Sequence, residues 1–113
     1  MKFGPRFVPV IPMSGFKLSV EAAGDLVAIG EYGMKTFGFA QSLKYHLALE
    51  SRFELLAQFP RIGMPSYDLL SGLYRFPYQA HMIFFTIEPD HIYIVRVLHA
   101  NADFKRHFNY LQN

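Results

Sequence analysis

Four side chains in the second half of the chain have the types and spacing to do chemistry: Arg75, His81, Arg96 and His99. Lys105, Arg106, His107 and Tyr110 follow close behind. Guanidinium and imidazole groups can stabilise a phosphoryl transition state and move protons without a metal. A metal-free ribonuclease site built from His81, Arg96, His99 and Tyr110 is therefore one reading. The blander reading makes each a rim or tail residue, since a lone histidine at a strand end is more often structural than catalytic. That reading suits Arg75 and His81 better than Arg96 and His99, because a charged residue on an apolar strand needs a partner. Other chemistries lack their residues. There is no cysteine, hence no disulfide framework and no thiolate. No His/Asp/Glu cluster has metal-ligand spacing, and no Ser/His/Asp pattern, P-loop, dinucleotide fingerprint or carboxylate pair is present. The expectation is a protein without metal or cofactor.

These residues ride on the stretch Leu73 to His99, three β-rich runs dense in aromatic and branched residues. Gln79-Ala80 and Glu88-Pro89-Asp90 separate them. Proline fixes φ and aspartate can bond its own backbone, so the second break is the stronger turn signal. Tight connections imply antiparallel neighbours, hence a three-stranded meander. Strict alternation in the last run puts Ile92, Ile94 and Leu98 on one face with Arg96. It puts Tyr93, Val95 and Val97 on the other with His99. Both faces are apolar, so both need cover. Upstream helices should supply one. A partner, the C-terminal segment or the N-terminal segment must supply the other.

The upstream chain supports that arrangement. Phe16-Lys17-Leu18 reads as a short strand. Ser19 offers an N-cap, with Glu21 in the first turn. A helix from Val20 to Thr36 then presents Ala22, Leu26, Ile29 and Gly33 on one face. Gly24, Gly30 and Gly33 each cost about 1 kcal/mol against alanine. Close packing against a neighbour explains them better than a helix kept weak for a partner. Phe37-Gly38 breaks the helix. A second runs from Ala40 to Gln58 with a stripe of Tyr45, Leu49, Phe53 and Leu56, broadened by Leu43 and Leu47, and Pro60 stops it. So short a break makes an antiparallel helical hairpin. Arg61 to Gly72 is a loop. Asn101 to Gln112 can form a final helix, with Phe104, Phe108 and Leu111 as its apolar side.

At 113 residues the chain is one domain, and 51% hydrophobic residues make it globular rather than disordered. Residues 1–14, with Pro5, Pro9 and Pro12, read as an extended segment before a single domain at 15–113. The Met13-Ser14-Gly15 sequence suggests that Met13 is the original start and residues 1–12 an upstream extension. No apolar run can span a bilayer, and Phe7 to Met13 lacks a cleavage site, so a cytoplasmic protein without membrane contact is expected. A net charge of +2, evenly spread, is not the footprint of a chain that holds nucleic acid by charge alone. No direct sequence-specific nucleic-acid binding is expected.

The order strand, two helices, three strands resembles the ParE branch of the RelE/ParE toxin superfamily. Phe16-Lys17-Leu18-Ser19, Glu21-Ala22 and Asp25-Leu26 look like the family's strand and helix start. Glu31-Tyr32, Phe37-Gly38 and Ala40 resemble its first helix end and turn. Leu49 to Leu56 with Phe59-Pro60-Arg61-Ile62-Gly63 is the closest match. Gly72-Leu73, Phe76-Pro77, Ile83-Phe84-Phe85 and Ile94 to His99 complete it. The match runs from about Gly15 to Phe108. No single motif is diagnostic; the ordered set carries the resemblance.

The resemblance implies an α+β, RelE/ParE-like fold: short N-terminal strand, helical hairpin, antiparallel β-meander and short C-terminal helix. It implies the toxin of a type II toxin-antitoxin system, held in a hetero-oligomer with a ParD-like antitoxin. ParE relatives poison DNA gyrase, block replication and arrest growth without themselves catalysing a reaction. RelE relatives cut mRNA on the ribosome. Low charge favours the first reading, since RNA contact demands a more basic surface. Gly30 stands where a large aromatic is usual, Met64 where arginine is common after Gly63, and Ala102 where arginine often precedes Asp103. A weakened, toxin-like interaction domain is the third reading. Phe53, Tyr74, Phe76, Tyr93 and Val95 are the expected antitoxin anchors. Arg61, Arg75, Arg96 and His99 are the expected target contacts.

Overall fold

The structure, a computed structural model, describes residues 15–109. Residues 1–14, Tyr110 and Leu111 fall outside the described residues, and with them the readings of an N-terminal extension, of Tyr110 as a site residue and of Leu111 as a helix contact. Strand β1 (Phe16–Leu18) leads into helix α1 (Val20–Phe37) and helix α2 (Phe39–Gln58). A single 3-10 turn (Pro60–Ile62) and a two-residue strand β2 (Met64–Pro65) follow. Then come β3 (Leu73–Tyr78), β4 (His81–Ile87), β5 (Ile92–His99) and a short helix α3 (Phe104–Phe108). The expected elements and their order are present. β1 and β2, which contribute only three and two residues, bracket the meander in a five-stranded sheet ordered β1-β5-β4-β3-β2. The meander is antiparallel, but β1 runs parallel to β5, pairing Phe16 with Ile92 and Leu18 with Ile94. The sheet is therefore mixed.

Local chemistry explains the elements. Ser19 caps α1, its Oγ accepting from Ala22 N at 2.9 Å. Gly38, at φ +90°, ends α1 and begins α2 in one step. Its N–H donates to Met34 O, and its carbonyl accepts from Ser42 N. Only glycine takes that conformation without strain. The helices approach closely at Gly33, where an added Cβ would lie 2.8 Å from Ser42 Oγ. Close packing is thus the role of this glycine. Gly24 and Gly30 have open space instead. Leu49, Phe53, Leu56 and Ala57 form the buried stripe of α2, while Leu43 and Leu47 point outward, so the stripe is narrower than expected.

The hairpin covers one sheet face. Leu49, Phe53 and Leu56 pack with Ile83, Phe85, Ile92, Ile94 and Val97, and Phe16 meets Phe53 edge-on at 5.1 Å. The second face is covered from within the chain, which decides between the three candidate covers. Phe104 and Phe108 of α3 set their rings edge-on to Phe84 at 5.0 and 4.9 Å, over Leu73, Val95 and Leu98, with Leu69 from the 66–72 loop. The C-terminal segment supplies this cover. No partner is needed to seal the centre of the face.

Strict alternation along β5 fails at one residue. Phe85 pairs with Ile94 and Phe84 with Arg96, leaving Val95 as the extra residue of a β-bulge. The bulge inverts the phase beyond it. Ile92, Ile94 and Val97 face the helices; Val95 and Leu98 face α3. His99 lines a groove beside α1 and α2, on Val97's side of the sheet rather than Val95's.

Candidate functional site

The bulge also sets the position of Arg96. β1 ends at Leu18 opposite Ile94, and from there α1 meets the edge of β5. Ser19 N donates to Ile94 O at 2.9 Å, and Ser19 Oγ to Val95 O at 2.7 Å. Asp25, less than two turns further along α1, takes three donors: Arg96 Nε at 2.9 Å, Arg96 Nη2 at 2.8 Å and Val97 N at 2.9 Å. This is a two-pronged guanidinium-carboxylate pair, with each side chain only 14% exposed. The partner that a charged residue on an apolar strand demands is therefore Asp25. Arg96 Nη1 also lies 3.4 Å from His107 Nδ1 on α3. Arg96 is tied into the fold as a clamp between α1, β5 and α3, and its charge is offset.

His81 and His99 are direct cross-strand partners at the end of β4 and β5. Their rings meet edge-on at 5.8 Å. Tyr45 Oη of α2 lies 2.6 Å from His81 Nδ1. Burial, then the neighbouring His99, lowers the pKa of His81 below its ordinary value, with Asp25 opposing. Burial, then Tyr78, raises that of Tyr45. Both shifts favour the uncharged form, of the imidazole and of the phenol. Tyr45 was legible as a helix-stripe residue but carries no sequence signal for this contact, because its partner lies 36 residues away. His81 and His99 do come together. Arg96 contributes no uncommitted guanidinium beside them.

The remaining basic candidates lie elsewhere. Arg61 Nη1 reaches Tyr74 Oη at 3.4 Å beside Tyr67, whose hydroxyl donates to Tyr74 Oη at 2.9 Å. That bond raises the pKa of Tyr67. Arg75 sits on β3 opposite Phe84. Arg61 and Arg75 thus belong to the β2–β3 side of the sheet, while Arg96 and His99 belong to β5. Phe84 lies in register between Arg75 and Arg96.

The expected anchors divide in the same way. Phe53 is fully buried, and Val95 is 8% exposed beneath α3. Neither offers a partner a surface without opening a core. Tyr74 and Phe76 are half-buried on the helix side, Tyr74 stacking on Phe85 at 5.8 Å. The guanidinium of Arg52 lies 5.9 Å from the Phe76 ring and 4.8 Å from that of Tyr78. Tyr93, 38% exposed, points to the opposite face. β2 pairs only with Tyr74 and Arg75, so the outer edge of β3 from Phe76 onward is bare among the described residues. Accessible apolar surface includes this edge with Tyr67, the hairpin tip around Tyr32, Met34, Phe37, Phe39 and Leu43, and side chains elsewhere such as Val20, Val27, Phe59, Ile62 and Met64. Sequence periodicity missed the tip, because exposed and buried aromatics look alike in a string.

This architecture has solved counterparts. A structure described as the chromosomal ParDE TA system from P. aeruginosa superposes with a TM-score of 0.67 at 21% identity, over 77% of this chain and 96% of that one. The likeness defines the fold class as α+β of the RelE/ParE kind. The family "ParE toxin of type II toxin-antitoxin system, parDE" matches residues 16–111, and the chain belongs to it. Toxin ParE1 of Caulobacter vibrioides is 30% identical over 95 residues, 84% of this chain and 98% of that protein.

Proposed function

We propose that this ParE-family chain acts by binding rather than by catalysis: it inhibits DNA gyrase, and a cognate ParD-like antitoxin neutralises it in a cytoplasmic hetero-oligomer. The observation that carries the reading is the bare β3 edge with Tyr67, Tyr74, Phe76 and Tyr78 beside it, on a domain whose sheet faces are covered at their centres by the hairpin and by α3. An extended or helical antitoxin segment can add backbone hydrogen bonds to such an edge and set apolar side chains against the aromatics. Full burial of a large apolar side chain contributes about 1.5–3 kcal/mol, and these half-buried aromatics gain the part still exposed. Tyr74 and Tyr93 lie on opposite faces, so one segment contacts both only by wrapping round the sheet. The ribonuclease reading is weaker, because Arg96 is neutralised by Asp25 and leaves the histidine pair without a phosphate clamp.

The test is induced expression with two readouts. Loss of gyrase supercoiling with SOS induction is expected. Rapid translation arrest with mRNA cleavage would overturn the reading in favour of the ribonuclease, and no growth effect in favour of an inactive interaction domain. In antitoxin binding, Tyr74→Glu is expected to weaken the complex. Unchanged affinity would remove the β3 edge as the docking surface.

A further inference from the structure

Between the two helices and the far end of the sheet lies a groove of about 400 Å³, within the usual range for small-molecule sites. Its walls are mainly apolar, formed by Leu26, Ile29, Tyr32, Phe37 and Leu49. Gly30 is part of its lining: an added Cβ there meets nothing within 4 Å, and its carbonyl accepts from Ser42 Oγ at 3.1 Å. One end is polar, and there His81 and His99 stand side by side across two strands.

Their hydrogen bonds set which ring nitrogen is offered. His99 Nδ1 accepts from Asn101 N at 3.1 Å, so in the neutral ring the proton sits on Nε2. Tyr45 Oη lies 2.6 Å from His81 Nδ1, with Ala80 N–H bonding the same oxygen. Tyr45 Oη also lies 3.5 Å from Tyr78 O, but the 2.6 Å contact with His81 is much the shorter, so the phenol donates to His81 Nδ1, and again Nε2 carries the proton. Among the described residues neither Nε2 has a hydrogen-bond partner. The groove thus ends in two adjacent N–H donors. None of its lining residues is aspartate or glutamate, and none is lysine or arginine. Asp25, the carboxylate nearby on α1, is committed to Arg96 and Val97 N.

Two donors a strand apart, at the end of an apolar slot without a counter-charge, match a group with two acceptor oxygens on an apolar body. We propose that this groove is a binding site for a small free monocarboxylic acid with an aromatic or branched apolar tail. The carboxylate bridges His81 Nε2–H and His99 Nε2–H, and the tail lies along Leu26, Ile29 and Leu49. The site is separate from the β3 edge and does not depend on the antitoxin or gyrase reading.

The experiment uses the full chain and 4-phenylbutyrate as probe, followed by NMR of the imidazole ring protons and of the apolar lining. Saturable shifts at His81, His99, Ile29 and Leu49 are expected. The alcohol with the same carbon skeleton, 4-phenylbutan-1-ol, should bind about tenfold or more weakly, because it cannot accept a charge-assisted bond from both rings. Gly30→Leu, which adds a long side chain to the groove lining, should abolish binding. His99→Leu should weaken it about tenfold, the loss expected for one hydrogen bond to a charged group. Thermal melts establish that each variant is folded, and either alone suffices if the other is not. Equal affinity for acid and alcohol, absence of saturable shifts, or unchanged binding by a folded variant would each overturn the proposal.

Discussion

Replacing Asp25 by alanine should damage the fold more than any surface charge change. The carboxylate holds both prongs of the Arg96 guanidinium and the Val97 N–H, at 2.8 to 2.9 Å. Both side chains are 14% exposed, so the variant strands a nearly buried charge and a backbone donor. Breaking one side of a buried pair costs about 3–5 kcal/mol. The remaining exposure of Arg96 and the nearby His107 argue for the lower end, about 3 kcal/mol. For a domain of this size each kcal/mol moves Tm by about 4–8 °C, so the expected drop is about 12–24 °C. Far-UV circular dichroism during heating measures it, with urea unfolding as a second probe. The double variant Asp25→Leu/Arg96→Met should recover most of the loss, because removing both charges removes the stranded one. A drop below about 1 kcal/mol, the level of an exposed pair, would refute the clamp. So would a double variant no better than the single one.

Ser19→Ala removes the cap of α1 and the bond to Val95 O, and should cost about 1–2 kcal/mol in chemical unfolding. Phe108→Ala empties the aromatic stack on Phe84 and should cost about 3–5 kcal/mol, with enhanced amide exchange in α3. Gly63→Ala places a Cβ 2.6 Å from Phe85 Cζ and should cost about 1–3 kcal/mol, whereas Gly30→Ala should stabilise. His81 has a lowered pKa in the fold, so between that value and its unfolded value of about 6.5 the unfolded chain binds more protons. Stability should therefore be full above that range and fall on acidification through it. His81→Phe should flatten that slope in pH-dependent melts.

The elements were readable because their signals are local. Ser19 and Glu21 announce α1, Gly38 the hairpin, and the apolar runs of β3, β4 and β5 the meander. The bulge was not readable. Ile92 to Leu98 is apolar at nearly every position, so the string holds no evidence of a phase change, and strict alternation misplaces Val97, Leu98 and His99. The cover of the second face is a matter of distance: Phe104 and Phe108 were recognisable as one apolar side, but only packing shows that this side seals Phe84 and Val95. The same limit applies to the sites. Arg96 needed a partner, yet Asp25 lies 71 positions earlier and looks like an ordinary first-helix acid. Tyr93 and Tyr74 share residue type and neighbourhood in sequence but lie on opposite sides of the sheet.

The pairing of β1 with β5 has a consequence for synthesis. Phe16 emerges early from the ribosome and must wait for Ile92, its strand neighbour. Ser19 waits likewise for the carbonyl of Val95, 76 positions later. The two helices, whose mutual contacts are local, can form first, but Leu49, Phe53 and Leu56 then have no strands to lie on. The nascent chain therefore carries a bare apolar helix pair until the last strand is made, and the far face stays open until Phe108 arrives. Vectorial folding makes the finished surface appear late and all at once. A nascent chain halted before β5 should be a target for chaperones and proteases rather than a partly active protein.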